Sequence, residues 1–394
     1  MHEFHWTHTL ITVVVVLAVI MGACAYLILL ERKTAAFIQD RLGPNRVGPH
    51  GLLQPIADGL KFLFKEEVIP RRADRLLFLM APAVAMGTAL FAFAVVPFGP
   101  TSVPPDPPPP DATMQQVRQY EIALAEYKAS YQFVIAPGLD IGILFVFAIG
   151  SLSVYGVILG GWASNNKYSF IGGLRSSAQL ISYEIPLGLS VLGVLLMAGS
   201  LNLERILDVQ TRYGWFILYQ PLAFLLFLVS AFAETNRLPF DLAEAEQELV
   251  GGFHTEYSGL KFGMFFLGEY THMITTSFLL SILFLGGWHC PFLAEPAHTG
   301  MVGTIVKLMV LALKVFGFIM LYMIIRWTIP RFRFDQLMAL AWKVLIPLAL
   351  ANFVCVVIVQ EFGWSWVWLT LASIALFFGA GYFGTRSQTT PQPV

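Results

Sequence analysis

The sequence predicts an all-α polytopic membrane protein with about nine transmembrane helices, an interfacial amphipathic helix and an acidic cytoplasmic loop. Three observations predict it. Of the 394 residues, 57% are hydrophobic and 12% charged, about half the charged share of a soluble domain, and mean hydropathy is +0.69. Nine apolar runs lie at about 9–30, 76–98, 138–161, 178–198, 215–233, 262–287, 304–327, 341–360 and 364–384. Each is close to the ~20 residues a helix needs to cross hydrocarbon. Lysines and arginines collect on alternate connections, seventeen against four, which places the N-terminus outside and the basic side in the cytoplasm. The chain reads as one integral domain over 1–387 with a tail at 388–394.

The first run has no basic n-region and no cleavage site, and it ends in Glu31-Arg32-Lys33; it is expected to stay as a mature helix. The connection after it contains Gly43-Pro44-Asn45 and Gly48-Pro49, turn makers that lock an irregular loop. A helix over about 52–66 follows. Leu52, Leu53, Ile56, Leu60, Leu63 and Phe64 form one stripe, and Gln54, Asp58, Lys61 and Lys65 another. It is too short and too polar on one face to span, so it should lie in the interface; a plain surface helix with a weak Asp58–Lys61 contact is the alternative.

The outer connection, 99–136, begins with Pro-rich PPDPPPP (104–110), which should be extended. Val117, Tyr120, Leu124, Tyr127 and Tyr131 then recur at helical spacing, predicting a short amphipathic helix on the outer surface. A solvated insertion or a docking surface suits it better than chemistry.

Charge inside the apolar runs is disfavoured, by about 2.5–3.5 kcal/mol at a helix centre. The fourth run nevertheless carries Glu184, beside Tyr183 and two residues before Pro186, about 10 Å from its cytoplasmic end at 1.5 Å per residue. Glu269 in the sixth run and Lys314 in the seventh repeat the anomaly. One such charge can be a structural anchor; three on three helices favour a wet proton- or ion-conducting interior. Lys307 has no assignable role.

The stretch AETNRLPFDLAEAEQELVGGFHTEYSG spans an acidic loop, 234–259, with Glu234, Asp241, Glu244, Glu246, Glu248 and Glu256 and one arginine, Arg237. Pro239 and Asp241 should start a helix, with Asp241 and Glu244 at capping-box spacing. Glu244 and Glu248 share its face, Glu246 points away, and Gly251-Gly252 ends it. Arg237 is a local counter-charge, and Phe240, Leu242 and Leu249 are apolar enough to tuck the loop towards the membrane. Crowded carboxylates share protons readily, which suits a relay.

Cys24, Cys290 and Cys355 are too dispersed for a disulfide framework, an iron–sulfur site or zinc. No Gly-rich nucleotide loop is present. No metal or nucleic-acid partner is expected, and redox chemistry must be carried by something else.

ERKTAAFIQDRLGPNRVGPHGLLQPIADGLKFLFKE, AETNRLPFDLAEAEQELVGGFHTEYSG and RWTIPRFRFDQLMALAWKVLIPLAL together resemble, in order and over about residues 8 to 360, a membrane subunit of respiratory complex I. That family comprises NADH dehydrogenase subunit 1 of mitochondria and its bacterial counterparts. The 99–136 insertion and the span at 364–384 depart from the shorter mitochondrial pattern. The resemblance implies a bacterial inner-membrane subunit of NADH:quinone oxidoreductase with quinone as substrate. Flavin and iron–sulfur clusters would reside in hydrophilic partner subunits, with small membrane subunits and lipid alongside. It implies that Arg41, Asp58, Lys61, Arg237, Phe240 and Asp241 line a quinone tunnel. Tyr183, Glu184, Glu234, Glu244, Glu246, Glu248 and Glu269 would form an acidic path into the membrane, with Lys314 matching a lysine of the family. The equivalent subunit of an energy-converting hydrogenase is the nearest alternative, although both long motifs are intact. An autonomous proton-coupled transporter would show paired, interrupted halves, and none is visible.

Overall fold

The computed structural model describes residues 6–106, 108–109, 111–130, 132–242, 249–296 and 300–389. Tyr131, Glu244, Glu246 and Glu248 lie outside the described residues, and so does the expected Asp241–Glu244 cap. The helices in order are α1 (Trp6–Ile38), α2 (Gln54–Phe64), α3 (Arg75–Phe91), α4 (Met114–Ala129), α5 (Gly142–Ala163), α6 (Lys167–Ala198) and α7 (Leu203–Tyr213). After these come α8 (Phe216–Tyr219), α9 (Pro221–Glu234), α10 (Gly259–Phe284), α11 (Met301–Thr328), α12 (Phe334–Leu340), α13 (Ile346–Glu361) and α14 (Val367–Thr389). All nine apolar runs are helical, and no strand occurs among the described residues. Six helices are long and apolar enough to cross a membrane by length and composition, and Pro221–Glu234 and Val367–Tyr382 are shorter apolar helices.

The ninth, α10, is long but rich in serine and threonine, and most of it is buried against α1, α3 and α11. Its hydroxyls do not need water. Thr271, Thr275, Thr276, Ser277 and Ser281 each donate to the carbonyl four residues earlier, at 2.7–3.0 Å. A polar-looking helix can therefore form the centre of the bundle, because its polar atoms are satisfied within it.

α9 has 14 residues, about 21 Å of helix against roughly 30 Å of hydrocarbon. The chain beyond its end, Thr235, Asn236, Arg237, Phe240, Asp241 and Leu242, is buried without being helical. Irregular backbone at such depth survives only inside protein or against a cavity. Gln179 of α6 supplies the support. Its amide nitrogen donates to Ala233 O at 2.8 Å and to Phe240 O at 2.7 Å.

Prolines inside the spans leave carbonyls without their usual donor four residues on. Pro82 in α3 frees Phe78 O, and the Tyr257 hydroxyl donates to it at 3.2 Å. Pro347 follows a π-helical turn at Ala341–Leu345 that joins α12 to α13, a widening of the kind that relieves the clash of its ring with the preceding turn. Pro186 lies in α6 two residues after Glu184. α6 begins at Lys167, earlier than the apolar run, so Glu184 sits 17 residues along it, about 25 Å from its first residue. The charge is mid-helix.

On α2, Ile56, Leu60, Leu63 and Phe64 are exposed together as one apolar face. In the outer insertion α4 is capped by Thr113 and Gln116. It is fastened to α7 by the buried Tyr127 hydroxyl, which donates to Glu204 Oε2 at 2.5 Å, while Gly138 N–H reaches Glu204 Oε1 at 3.4 Å. Arg205 pairs with Asp106, and Ser102 N–H donates to Gln132 at 2.9 Å. Burial pushes the Glu204 carboxyl above its ordinary range, with the two hydrogen bonds opposing. A raised carboxyl pKa stabilises the folded clip at low pH, and that contribution is lost as pH rises through the folded value. Amide exchange in the insertion, corrected for its intrinsic pH dependence, is expected to be slower at acid pH. Glu204→Gln should flatten the dependence; a flat wild-type profile would contradict this.

Candidate functional site

Glu31 is the hub of a buried charge knot. It projects from the C-terminal third of α1 and is 6% exposed. Its Oε2 accepts from Arg237 Nη1 at 2.8 Å and from the Tyr270 hydroxyl at 2.6 Å, and its Oε1 accepts from Arg326 Nη1. The Arg237 guanidinium also lies 4.1 Å from the Tyr270 ring centroid, a cation–π contact. Among the described residues, one carboxylate holds two guanidiniums here. The knot ties together α1, the chain after α9, α10 and α11.

Next to it, Glu234, Thr235, Asn236, Glu269, His272 and Ser153 line an internal cavity of about 40 Å³, walled by Ala85, Val157, Leu180, Phe253, Phe265 and Gly268. Glu269 and His272 are one turn apart on α10, and Glu234 arrives from the end of α9. Glu184 enters the same seam from α6. Ser151 of α5 donates to Glu184 Oε1, and a side chain at Gly150 would come within 3.5 Å of Glu234 Oε1. Glu184 and Glu234 are close enough to act on each other electrostatically. Tyr322 of α11 is within electrostatic reach of both Glu234 and Arg237 and shares a 3.1 Å hydrogen bond with Thr276. Three carboxylates from separate apolar runs therefore converge, and Asn236 and Arg237 connect them to the knot.

A second cavity, about 180 Å³, opens between α1, α2 and α10. Met21, Ala25, Ile28, Leu29, Phe62, Leu260, Phe266 and Leu267 make it apolar, and Gly59 and Gly263 widen it. Its polar end holds Arg32, Gln54 and Asp58. Arg32 Nη1 donates to Asp58 Oδ2 at 2.7 Å and Gln54 Nε2 to Oδ1 at 3.0 Å. Asp58 is thus held from α1, where the sequence suggested Lys61, which is exposed.

The remaining expected residues fall in several places. Arg41 is exposed and donates to Gln39 at 2.8 Å. Phe240 is buried, stacked on Phe332, and Asp241 accepts from Arg331 Nη2 at 3.1 Å. Tyr183 is fully buried and donates to Leu337 O at 2.9 Å, a bond that fastens α12. Lys314 lies eight residues from Tyr322, about 12 Å towards the other end of α11. It donates to Leu285 O, Gly287 O and His289 O at 2.6–2.9 Å and sits over the Trp215 ring, closing the turn after α10. Lys307 packs similarly over Trp288, at 4.8 Å.

Sequence reasoning missed Glu31, Arg326, Tyr270 and His272. Helical spacing carried a signal for the first of them. Cys24, Leu27, Glu31 and Ala35 recur at i, i+3, i+7 and i+11 and are all buried, while Arg32 is exposed. Glu31 therefore belongs to the inward stripe.

Residues 11–357 match the family described as NADH dehydrogenase. An NADH-quinone oxidoreductase subunit of Flavobacterium psychrophilum is 45% identical over 344 residues, 87% of this chain and 94% of that one. An NADH-quinone oxidoreductase subunit of Syntrophobacter fumaroxidans is 49% identical over 338 residues, 86% and 91% of the two chains. "NADH-quinone oxidoreductase subunit 8" of Rhodothermus marinus is 46% identical over 363 residues, 89% and 96%. With its all-helical bundle and the length of these matches, the chain belongs to the NADH dehydrogenase family of complex I membrane subunits.

Proposed function

We propose that the chain is the membrane subunit of a proton-pumping NADH:quinone oxidoreductase that forms much of the quinone path and couples quinone reduction to proton movement. The observation that carries this reading is the two-sidedness of α10. Leu260, Gly263, Phe266 and Leu267 line the apolar cavity beside α2, and Phe265, Gly268, Glu269 and His272 line the acidic one. An isoprenoid tail suits the first, with Asp58 at its polar end and Lys61 and Arg41 on the same cytoplasmic side. Arg237, Phe240 and Asp241 carry the path inward.

Each quinone takes two electrons, supplied by flavin and iron–sulfur clusters of hydrophilic partner subunits, and two protons. A change of charge at the headgroup acts on Glu234 through the Glu31–Arg237–Arg326 knot. Tyr183, Glu184, Glu269 and the acidic Glu244, Glu246 and Glu248 continue the path, with Lys314 at its far end. The chain sits among small membrane subunits and lipid in a bacterial inner membrane, N-terminus outside and acidic loop in the cytoplasm. The relatives' names favour quinone over hydrogenase chemistry.

Narrowing the apolar cavity tests the reading. Gly59 has open space before it, so Gly59→Leu fills the cavity without a clash. In the assembled enzyme the KM for a long-tailed quinone is expected to rise roughly ten-fold, while that for a tail-less analogue stays near wild type. Equal effects on both, or none on either, would contradict the assignment.

A further inference from the structure

His272 was absent from the expected path, and the role argued for it rests on the proton-path reading above. Its ring lines the cavity with Glu269, one turn away on the same helix, and with Glu234 from α9. The Nε2 atom is buried and has no hydrogen-bond partner among the described residues, a condition that disfavours an empty cavity. At roughly 10–15 Å³ per molecule, the cavity of about 40 Å³ has room for about three waters, with Ser153, Thr235 and Asn236 as further partners.

The titratable groups facing the ring are Glu269 and Glu234, with Glu184 one contact further on α6. Tyr322 of α11 reaches Glu234, and Cys24 of α1 is bonded to Thr271 at 3.5 Å on the adjoining face. An imidazole between two carboxyl groups can take a proton from one and give it to the other.

We propose that His272 is a proton-exchanging residue of this cavity, taking a proton through cavity water from one of Glu234 and Glu269 and returning it to the other. The step balances simply. A carboxylic acid and a neutral imidazole become a carboxylate and an imidazolium, and the imidazolium then protonates the second carboxylate. Only O–H and N–H bonds are made and broken. The ring stands on α10 and faces the space that Glu234 enters from the end of α9, so it spans the gap between the two helices.

The test uses the whole enzyme in proteoliposomes, carrying His272→Asn or His272→Gln. Quinone-dependent NADH oxidation and proton uptake are followed over about pH 6 to 9, in H₂O and D₂O. NADH oxidation by an artificial acceptor reports assembly. Turnover is expected to fall roughly ten-fold or more, the pH profile to lose one ionisation, and the solvent isotope effect to rise. Ser153→Leu, which fills the same cavity from α5, should slow turnover likewise and decides the matter if the histidine variants do not assemble. An unchanged rate and profile overturns the proposal. So does a uniform loss at every pH with an unchanged isotope effect, which marks a space-filling side chain. Glu234→Gln is measured alongside. If it abolishes turnover while the His272 variants do not, this inference fails and the wider path stands; if neither has an effect, the path itself fails.

Discussion

Glu31→Gln is expected to destabilise the bundle by about 3–5 kcal/mol and to abolish quinone-dependent turnover. The carboxylate accepts from Arg237, Arg326 and the Tyr270 hydroxyl. With a neutral amide, both guanidiniums lose this charged partner at a core position that is 6% exposed, and the amide nitrogen would confront their donors. The cost comes from stranding buried charge rather than from losing an attractive pair. A triple variant, Glu31→Leu with Arg237→Met and Arg326→Met, removes all three charges together and should recover most of the stability while leaving quinone turnover lost. Thermal unfolding of the purified enzyme and quinone-dependent NADH oxidation measure the two effects separately. If Glu31→Gln unfolds like wild type, the knot is not a structural pivot.

Glu234→Gln is expected to be better tolerated structurally and more damaging functionally. The amide keeps the volume of the carboxyl, and the side chain lines a cavity with Glu269 and His272 rather than facing a guanidinium pair. What is lost is the capacity to gain and release a proton where α9 ends. Removing an essential acid–base group costs roughly 10²-fold or more in rate. Coupled quinone turnover should fall by that order, with NADH oxidation by an artificial acceptor retained. Glu184→Gln should show a smaller loss of the same kind, since Glu184 reaches the cavity only through Ser151 and Glu234.

The fold was legible because membrane insertion writes itself into composition. Apolar runs and the asymmetric lysines and arginines gave the helices, and the amphipathic stripe of α2 was readable from spacing alone. α10 was recognisable as a span, but its central position was not, because a serine- and threonine-rich helix looks peripheral until its hydroxyls are seen bonding to its own carbonyls. Glu184, Glu234 and Glu269 stood out because charge within or at the edge of an apolar run demands a reason. Glu31 and Arg326 did not, because each lies at the end of its run, where charges ordinarily flank a membrane helix and reach for solvent. The structure turns both inward. Arg237 was expected to serve the neighbouring acids, and its guanidinium also reaches 206 residues back to Glu31. Such a pairing depends on which helices are neighbours, and periodicity along one helix does not encode that.

The most direct measurement is proton translocation recorded together with quinone-dependent NADH oxidation in proteoliposomes containing enzyme with Glu184, Glu234 or Glu269 changed singly to glutamine. Coupling through this seam predicts that both fall together, most steeply for Glu234→Gln, while the artificial-acceptor rate persists. Wild-type turnover and wild-type proton yield in all three variants would contradict it.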